Sequence, residues 1–94
     1  MLKGKDKRYL RAQANTKNAI FQIGKDALSE NLIEGVDIAL ESHELIKISV
    51  LKSCVTDVRE LAFDLSSSTN SEIVQIIGKT IILYRQSKER IYTF

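Results

Sequence analysis

The joints between structural elements in this chain must be short, because its 94 residues contain no proline and only four glycines. Proline and glycine are the residues that most often end helices and strands and fill long loops. A chain poor in both has to change direction within a few residues, using polar side chains for its turns. The apolar periodicity between the joints therefore defines the elements, and residues 1–94 have room for one compact domain.

Three segments, residues 4–15, 29–41 and 57–66, have the apolar spacing of helices. Ser29 is a typical N-cap for the second helix, and Thr56 or Asp57 for the third. Glu60 follows Asp57 by three residues, which is the spacing of a capping box. The sequence therefore predicts a basic first helix with a modest apolar side, followed by two amphipathic helices with acidic outer faces.

Four segments have the β-branched or alternating character of strands, namely residues 19–23, 44–51, 72–77 and 80–85. Gly78 and Lys79 separate the last two, and glycine at the first loop position favours a type II′ hairpin turn. In the second segment, Lys47 and Ser49 alternate with β-branched residues. This alternation predicts a strand with one buried face and one polar face.

The order helix, strand, helix, strand, helix, strand, strand predicts an α/β fold, in the form of an α+β two-layer sandwich with a four-stranded mixed sheet. The second and third helices are long enough to return the chain for parallel pairing, whereas the final hairpin is antiparallel. We expect these two helices to cover one face of the sheet. Lys47 and Ser49 should then mark the less covered face.

Charge divides the chain into three blocks, although its net charge is only +2. Residues 1–25 hold seven basic side chains and one acidic side chain, whereas residues 26–72 hold ten acidic and three basic ones. Residues 73–94 are basic again, with four basic side chains and one acidic one. If the basic blocks meet in the fold, one face can bind phosphates while the acidic block limits non-specific attachment. Ordinary solubilising charge is the alternative interpretation.

Residues suited to catalysis or metal binding are scarce. His43 is the only histidine and Cys54 the only cysteine, too few for a zinc site with three or four nitrogen and sulfur ligands. Neither has a neighbouring group that would orient it for nucleophilic catalysis, and the glycines form no nucleotide-binding motif. We therefore expect no enzymatic activity, no metal and no cofactor. The lone cysteine, without a signal peptide or membrane-spanning run, predicts a cytoplasmic protein that does not contact a membrane.

The aromatic side chains do not indicate a platform for stacking bases. Phe21 and Phe63 are expected in the core. We expect the remaining aromatic side chains at the surface or in the tail, and these are Tyr9, Tyr84, Tyr92 and Phe94. The tail that begins at Lys88 can either pack against the domain or fray.

The joint at residues 24–27 is the one loop with the features of an anion site. It connects the end of a strand to the start of a helix, where free amides attract anions. Gly24 allows a ligand to approach the backbone, and Lys25 can reach a phosphate. An ordinary strand-to-helix turn would look the same in sequence.

Four strings in the same order resemble the YhbY-like family of CRM-domain proteins. They are LKGKDKRYLR at residues 2–11, FQIGK at 21–25, ELIKISVL at 44–51 and EIVQIIGKTIILYR at 72–85. Together they span nearly the whole chain. The resemblance implies a fold similar to the C-terminal domain of bacterial translation initiation factor three. It also implies association with precursors of the large ribosomal subunit and, in plant organelle relatives, with intron RNA.

The family's loop after the first strand is a Gly-x-x-Gly turn, like the turn that clamps the nucleic-acid backbone in KH domains. By this resemblance, Gly24 and Lys25 are candidate contacts, although Ala27 stands where the second glycine is expected and Asp26 adds a negative charge. Cations elsewhere should then carry more of the binding. The complete set of candidate RNA-binding residues is Lys3, Lys5, Lys7, Arg8, Arg11, Gly24, Lys25, Arg85 and Lys88.

The predicted partner is ribosomal RNA in precursor large subunits, together with ribosomal proteins, and we expect the free protein to be a monomer. The alternative is a protein-interaction adaptor in ribosome assembly. Such an adaptor would use the acidic helices or the exposed edge of the hairpin to contact another protein.

Overall fold

The computed structural model of the chain describes residues 2–92. Its elements follow the predicted order and are α1 (Gly4–Ala14), β1 (Phe21–Ile23), α2 (Glu30–His43), β2 (Leu45–Val50), α3 (Val58–Thr69), β3 (Glu72–Ile77) and β4 (Thr80–Tyr84). The predicted α/β class, with three helices and a mixed four-stranded sheet, is therefore confirmed.

The sheet has the strand order β1-β2-β4-β3. β1 is parallel to β2, and β4 is antiparallel to both of its neighbours. This arrangement brings three loops to one edge of the sheet. The amide of Leu51 donates to the carbonyl of Ile23 at 2.8 Å, and the amide of Val50 donates to the carbonyl of Lys79 at 2.7 Å. The ends of β1 and β2 and the hairpin turn are therefore neighbours.

The larger part of the core lies between the sheet and the two amphipathic helices. Val36 and Leu40 of α2 and Leu61 and Leu65 of α3 are fully buried against strand residues such as Ile48. Gly35 lets α2 approach β1, since a Cβ at that position would meet the ring of Phe21 at 3.1 Å. As predicted, α2 and α3 cover one face of the sheet.

The first helix packs on the opposite face, a position that the sequence did not indicate. Leu10 and Ala14 of α1 are buried against Leu45, Ile82 and Tyr84. The helix covers only the part of this face near the start of β2. Lys47 and Ser49 lie on the same face and are half-buried.

Helix ends differ from the predicted ones where side chains extend the hydrogen bonding. α3 continues beyond residue 66 because the buried hydroxyl of Thr69 donates to the carbonyl of Leu65 at 2.8 Å. Asn70 then ends the helix in the left-handed conformation, with φ 55°. The predicted end of this helix at residue 66 is therefore wrong.

The predicted caps have different outcomes. The hydroxyl of Ser29 accepts a hydrogen bond from the amide of Leu32 at 3.1 Å, as expected for an N-cap. Asp57 is the N-cap of α3, but its exposed side chain makes no capping bond, and the predicted box with Glu60 is wrong. Only the Asp57 carbonyl contributes, by accepting from the amide of Leu61 at 3.0 Å.

The hairpin has the φ signs of the predicted type II′ turn, because φ is 55° at the first central residue, Gly78, and is not positive at the second, Lys79.

Two aromatic residues are not where the sequence suggested. Phe63 is 64% exposed because Leu61, Ala62 and Leu65 form the inward side of α3. Tyr84 is only 5% exposed because α1 covers it. Phe94 lies outside the described residues.

Candidate nucleic-acid interface

The cations of the first helix differ in orientation, since Lys5 and Arg8 face away from the sheet whereas Lys7 and Arg11 lie on the flank next to the buried residues. Lys3, Lys5 and Arg8 are exposed, whereas Lys7 and Arg11 are half-buried. Their stems can pack along the domain while their charged groups reach solvent. Four of these five predicted residues therefore lie on α1, and Lys3 is its N-cap.

Contacts at both ends of the described chain fix the orientation of α1. The amide of Leu2 donates to the carboxylate of Glu72 at 3.0 Å. The amide of Lys3 donates to the carboxylate of Asp6 at 3.1 Å, so the one acid of this helix caps its start. The ring of Tyr9 meets the ring of Tyr92 edge-on, with centroids 6.5 Å apart. At 100° per residue, Tyr9 lies on the other side of α1 from Lys7 and Arg11 and on the same side as Lys5.

The loop at residues 24–27 is a closed turn, in which the amide of Ala27 donates to the carbonyl of Gly24 at 3.0 Å. Lys25 and Asp26 are exposed at its tip. Ala27 has φ 52°, in the left-handed region that glycine enters without steric cost. The loop therefore has the backbone shape that a second glycine would favour, although alanine stands at that position.

Two further lysines lie at the same edge of the sheet as this loop. Lys52 follows β2 and Lys79 forms the hairpin turn, and both are exposed. The hydrogen bonds Leu51 to Ile23 and Val50 to Lys79 bring their backbones next to the end of β1. Neither residue is among the predicted contacts, because their proximity to Lys25 follows from strand order rather than from spacing along the chain.

A polar part of the sheet face separates α1 from this edge. Gln22, Ser49 and Thr80 occupy one row across β1, β2 and β4, and Lys47 lies in the row before it, beside Ile82. We call these positions, Gln22, Lys47, Ser49 and Thr80, the open face. It lies between α1 and the end of the sheet at which the loops of Lys25 and Lys79 meet.

Arg85 is not part of this side, because it is engaged in internal contacts. Its guanidinium forms ion pairs with Asp37 and Glu41 of α2. It also donates to the backbone carbonyls of Asp37 at 2.8 Å and Thr69 at 2.7 Å. The side chain therefore ties β4 to the C-terminal halves of both amphipathic helices.

Lys88 lies near the same acidic region. Its amide donates to the carboxylate of Glu41 at 3.1 Å, and its side chain is exposed. The structure therefore does not bring Arg85 and Lys88 together with the cations of α1.

The sheet separates the two kinds of charge. Six acidic residues lie on the helices that cover the opposite sheet face, and these are Glu30, Glu34, Asp37, Glu41, Glu60 and Asp64. All six are exposed. We call the end of the sheet that carries Lys25, Lys52 and Lys79 the loop edge. The charge blocks of the sequence thus become an acidic side formed by α2 and α3 and a basic side formed by α1, the open face and the loop edge.

Asp6 on α1 and Asp26 in the loop after β1 lie outside this acidic side, and so does Glu44. Glu44 is completely buried, and its carboxylate accepts hydrogen bonds from the amides of Ser87 at 3.0 Å, Ile91 at 2.7 Å and Tyr92 at 3.1 Å. The hydroxyl of Ser87 donates to it as well. These bonds hold residues 87–92 against the domain.

Burial raises the pKa of the Glu44 carboxyl, but hydrogen bonds from the Ser87 hydroxyl and from the amides of Tyr92, Ile91 and Ser87 outweigh this effect, so the pKa lies below its ordinary value. Burial also raises the pKa of Tyr84, and the negative charge of Glu44 raises it further.

The histidine and the cysteine considered as catalytic groups lie in different environments. Cys54 is buried and unpaired with another cysteine, and His43 is exposed at the last position of α2. Among residues 2–92, no group of three or more histidine, cysteine, aspartate or glutamate side chains is arranged to hold a metal ion. In the same part of the chain, no helix has the length and apolar character needed to cross a membrane.

The fold and this charge distribution define a class: a small α/β domain with one basic side and one acidic side. The chain matches the CRS1/YhbY (CRM) domain over residues 2–85, and it belongs to that family. The resemblance seen in the four sequence strings is thereby confirmed.

Similar proteins come from several bacteria. The chain is 47% identical over 89 residues to YqeI of Bacillus subtilis, named a probable RNA-binding protein, with 95% of this chain and 93% of the relative covered. It is 31% identical over 88 residues to a protein of Haemophilus influenzae named an RNA-binding protein, covering 94% and 89% of the two chains. The solution structure of SAV1595 from Staphylococcus aureus is similar, with a TM-score of 0.80, 52% identity, and coverage of 94% and 92%.

Proposed function

We propose that this protein binds RNA, and specifically the ribosomal RNA of precursor large subunits, through contacts with the phosphate backbone. The observation that carries the proposal is the one-sided charge: the cations of α1 and Lys47 of the open face lie on one side of the sheet, and the acidic helices lie on the other, while Lys25 is exposed in the loop at the end of β1. The names of the relatives in Bacillus subtilis and Haemophilus influenzae support RNA as the partner.

Phosphate binding suits the residues on the basic side. Lysine and arginine side chains on an exposed helix neutralise phosphates and release counterions, which gives affinity without reading sequence. The loop at residues 24–27 exposes Lys25 at its tip, and the backbone of an RNA strand can approach Gly24 there. Such a surface recognises the shape of a folded RNA more than the identity of its bases.

The proposed contacts are Lys3, Lys5, Lys7, Arg8, Arg11, Gly24 and Lys25. We assign Arg85 a structural part in the proposal, because its guanidinium is engaged by Asp37, Glu41 and Thr69. Lys88 is a peripheral contact at most, since its neighbour Glu41 is acidic. In this function the protein is a non-catalytic, monomeric assembly factor of the cytoplasm.

A salt titration of binding to large-subunit ribosomal RNA tests the proposal. We expect the variant with Lys5, Arg8, Arg11 and Lys25 changed to alanine to bind more weakly and to have a shallower dependence on salt. Each lost phosphate contact should reduce the slope of log K against log salt by roughly 0.7 to 0.9. Circular dichroism and thermal unfolding should show an intact fold, since Lys5, Arg8 and Lys25 are exposed and Arg11 is only half-buried.

The matched control changes Arg59, Lys88 and Arg90 to alanine. These three cations are also exposed, but Arg59 lies on α3 and Lys88 and Arg90 lie in the segment after β4, so none of them is on α1 or the open face. The control should retain nearly the full salt slope. Equal loss of slope in both variants would show that net charge, and not the basic side, determines binding.

A second candidate is the protein-interaction adaptor, and one observation favours it. Ile38 on α2 and Phe63 on α3 are 60% and 64% exposed, and both lie among the acids of these helices. Apolar side chains surrounded by acids suit a basic protein partner. The two candidates differ in one outcome: neutralising this acidic side would abolish association with precursor subunits for an adaptor, but not for an RNA-binding protein.

A further inference from the structure

A cavity of about 280 Å³ lies where the connection from α1 to β1 passes the start of β2. Its lining includes Lys17, Asn18, Ile20, His43, Leu45 and Lys47. The amide of Ile20 donates to the carbonyl of Lys47 at 3.0 Å, which fixes the connection beside the strand. The cavity is therefore formed by segments that the fold holds in place.

The lining has an apolar floor and a polar rim. Leu45 is almost completely buried, whereas Asn18 and His43 are exposed and Lys17 and Lys47 are half-buried. An imidazole ring can stack on a nucleobase, and a side-chain amide can both donate to and accept from the edge of a base. Lysine side chains whose stems are partly covered can place their charge on a phosphate at the rim.

The edge of β2 that faces β1 adds backbone groups to the lining of the cavity. β1 begins at Phe21, which pairs with Ile48, so the parallel ladder of the described residues does not reach Leu45. A strand edge without a neighbouring strand presents amide and carbonyl groups to whatever lies beside it. The cavity thus offers both donors and acceptors next to an apolar floor.

We infer that this cavity holds one unpaired nucleotide of the bound RNA. The base lies on the floor against the ring of His43, Asn18 contacts its edge, and Lys17 and Lys47 bind the phosphate. The volume is at the small end of ligand pockets, roughly 300 Å³, which suits one nucleotide and not a base pair. The inference rests on the proposed function, because it takes the partner to be RNA.

The same cavity gives a surface that binds phosphates a way to distinguish RNA with an unpaired nucleotide from other RNA. Lys47 belongs both to the open face and to the cavity lining, so a strand bound along the basic side can place one base in the cavity. Only RNA with an unpaired nucleotide at the right distance can do so. The protein would then prefer loops and bulges over uninterrupted duplex.

The first test is an NMR titration of the full chain with each of the four ribonucleoside monophosphates, and with inorganic phosphate as the control probe. We expect amide shifts at Asn18, Ile20 and Lys47 with at least one nucleotide, and markedly smaller shifts with phosphate. Equal shifts with phosphate would show an anion site and overturn the inference. Shifts confined to α1 would overturn it as well.

The second test measures affinity for a stem-loop RNA and for a blunt duplex of the same stem. The double variant Asn18→Ala and His43→Ala should bind the stem-loop about tenfold more weakly than the parent chain, as expected for the loss of one stacked base. Its affinity for the duplex should equal that of the parent chain. The salt slope should not change, because neither residue neutralises a phosphate. Asn31→Ala, at an exposed position of α2, is the matched control and should bind both RNAs normally.

The two proposals fail in different ways. If the parent chain binds neither RNA with a salt-dependent affinity, the proposed function fails. If it binds both RNAs equally, and the double variant does the same, the nucleotide cavity fails while the proposed function stands. Binding of free mononucleotides without any preference for the stem-loop would indicate a small-molecule site instead, and would also overturn the inference.

Discussion

At the scale of single residues, Glu44 has the most demanding position in the domain. It has φ 64°, a conformation that favours glycine, and it ends α2 by donating its amide to the carbonyl of Leu40 at 2.9 Å. Its carboxylate is buried and accepts hydrogen bonds from three amides and one hydroxyl. The cost of burying a charge and of an unfavourable φ is offset by bonds that fix the segment after β4.

Replacing Glu44 with glutamine should lower the free energy of unfolding by about 2 kcal/mol, because charge-assisted hydrogen bonds to buried donors are lost. Urea unfolding at neutral pH measures this difference. The exposed Glu89→Gln is the control and should change stability by less than about 0.5 kcal/mol. A Glu44→Gln protein as stable as the parent would mean that the carboxylate charge contributes nothing.

The lowered pKa of Glu44 sets the sign of the pH dependence. A carboxyl whose pKa is lower in the folded state stabilises the fold above its ordinary value of 4.5, and this stabilisation is lost as the pH falls through the folded pKa. The stability difference between the parent and Glu44→Gln should therefore shrink below that value.

At the scale of elements, the loop after β1 shows how geometry can persist without the expected residue. The turn closes between Gly24 and Ala27, and Ala27 takes the left-handed conformation itself. By contrast, a Cβ on Gly24 would make only ordinary contacts, the nearest at 3.5 Å from the Ser53 hydroxyl. The steric demand for glycine in this loop is therefore greater at position 27 than at position 24.

Ala27→Gly should raise the free energy of unfolding by about 0.5 to 1 kcal/mol, because the left-handed conformation costs an alanine more than a glycine. RNA affinity should stay within about twofold, since the turn already has this shape. Thermal unfolding should show a rise of a few degrees, given roughly 4 to 8 °C per kcal/mol for a domain of this size.

The control for that change is Ala12→Gly, at an exposed position of α1, which should lose about 1 kcal/mol through lower helix propensity. If Ala27→Gly destabilised the domain to the same extent, strain at Ala27 would be refuted.

The elements also show what the sequence could predict. Apolar periodicity identified all seven elements because each local pattern reports which side of its own helix or strand is buried. It could not place α1, whose modest apolar side fits either face of the sheet. It also could not assign Glu44 to a buried cap or Arg85 to the ends of α2 and α3, because their partners are more than 15 residues away.

At the scale of the whole molecule, the sheet turns an alternation of charge along the chain into two opposite sides. A net charge of +2 gives little steering by itself, but separated charges create a local field over the distance of a Debye length, about 8 Å at physiological salt. The basic side attracts phosphates, and the acidic side disfavours every other orientation. The separation should therefore increase selectivity more than affinity.

Neutralising the acidic side tests this view. The variant Glu30→Gln, Glu34→Gln, Glu60→Gln and Asp64→Asn changes only exposed acids that do not pair with Arg85. It should bind unrelated RNA several-fold more tightly at low salt, so that its preference for large-subunit ribosomal RNA falls. The effect should disappear in about 0.5 M salt, where long-range charge is screened.

Association with precursor subunits separates the two candidate functions in the same variant. If the protein binds RNA through its basic side, the variant should still co-sediment with precursor large subunits, because the contact surface is intact. An adaptor should lose that association while its affinity for isolated RNA is maintained or increased, because the acids would be its contacts with a basic protein. Loss of co-sedimentation with unchanged RNA binding would therefore move the docking surface from α1 and the loop edge to α2 and α3, with Ile38 and Phe63 as its apolar centre.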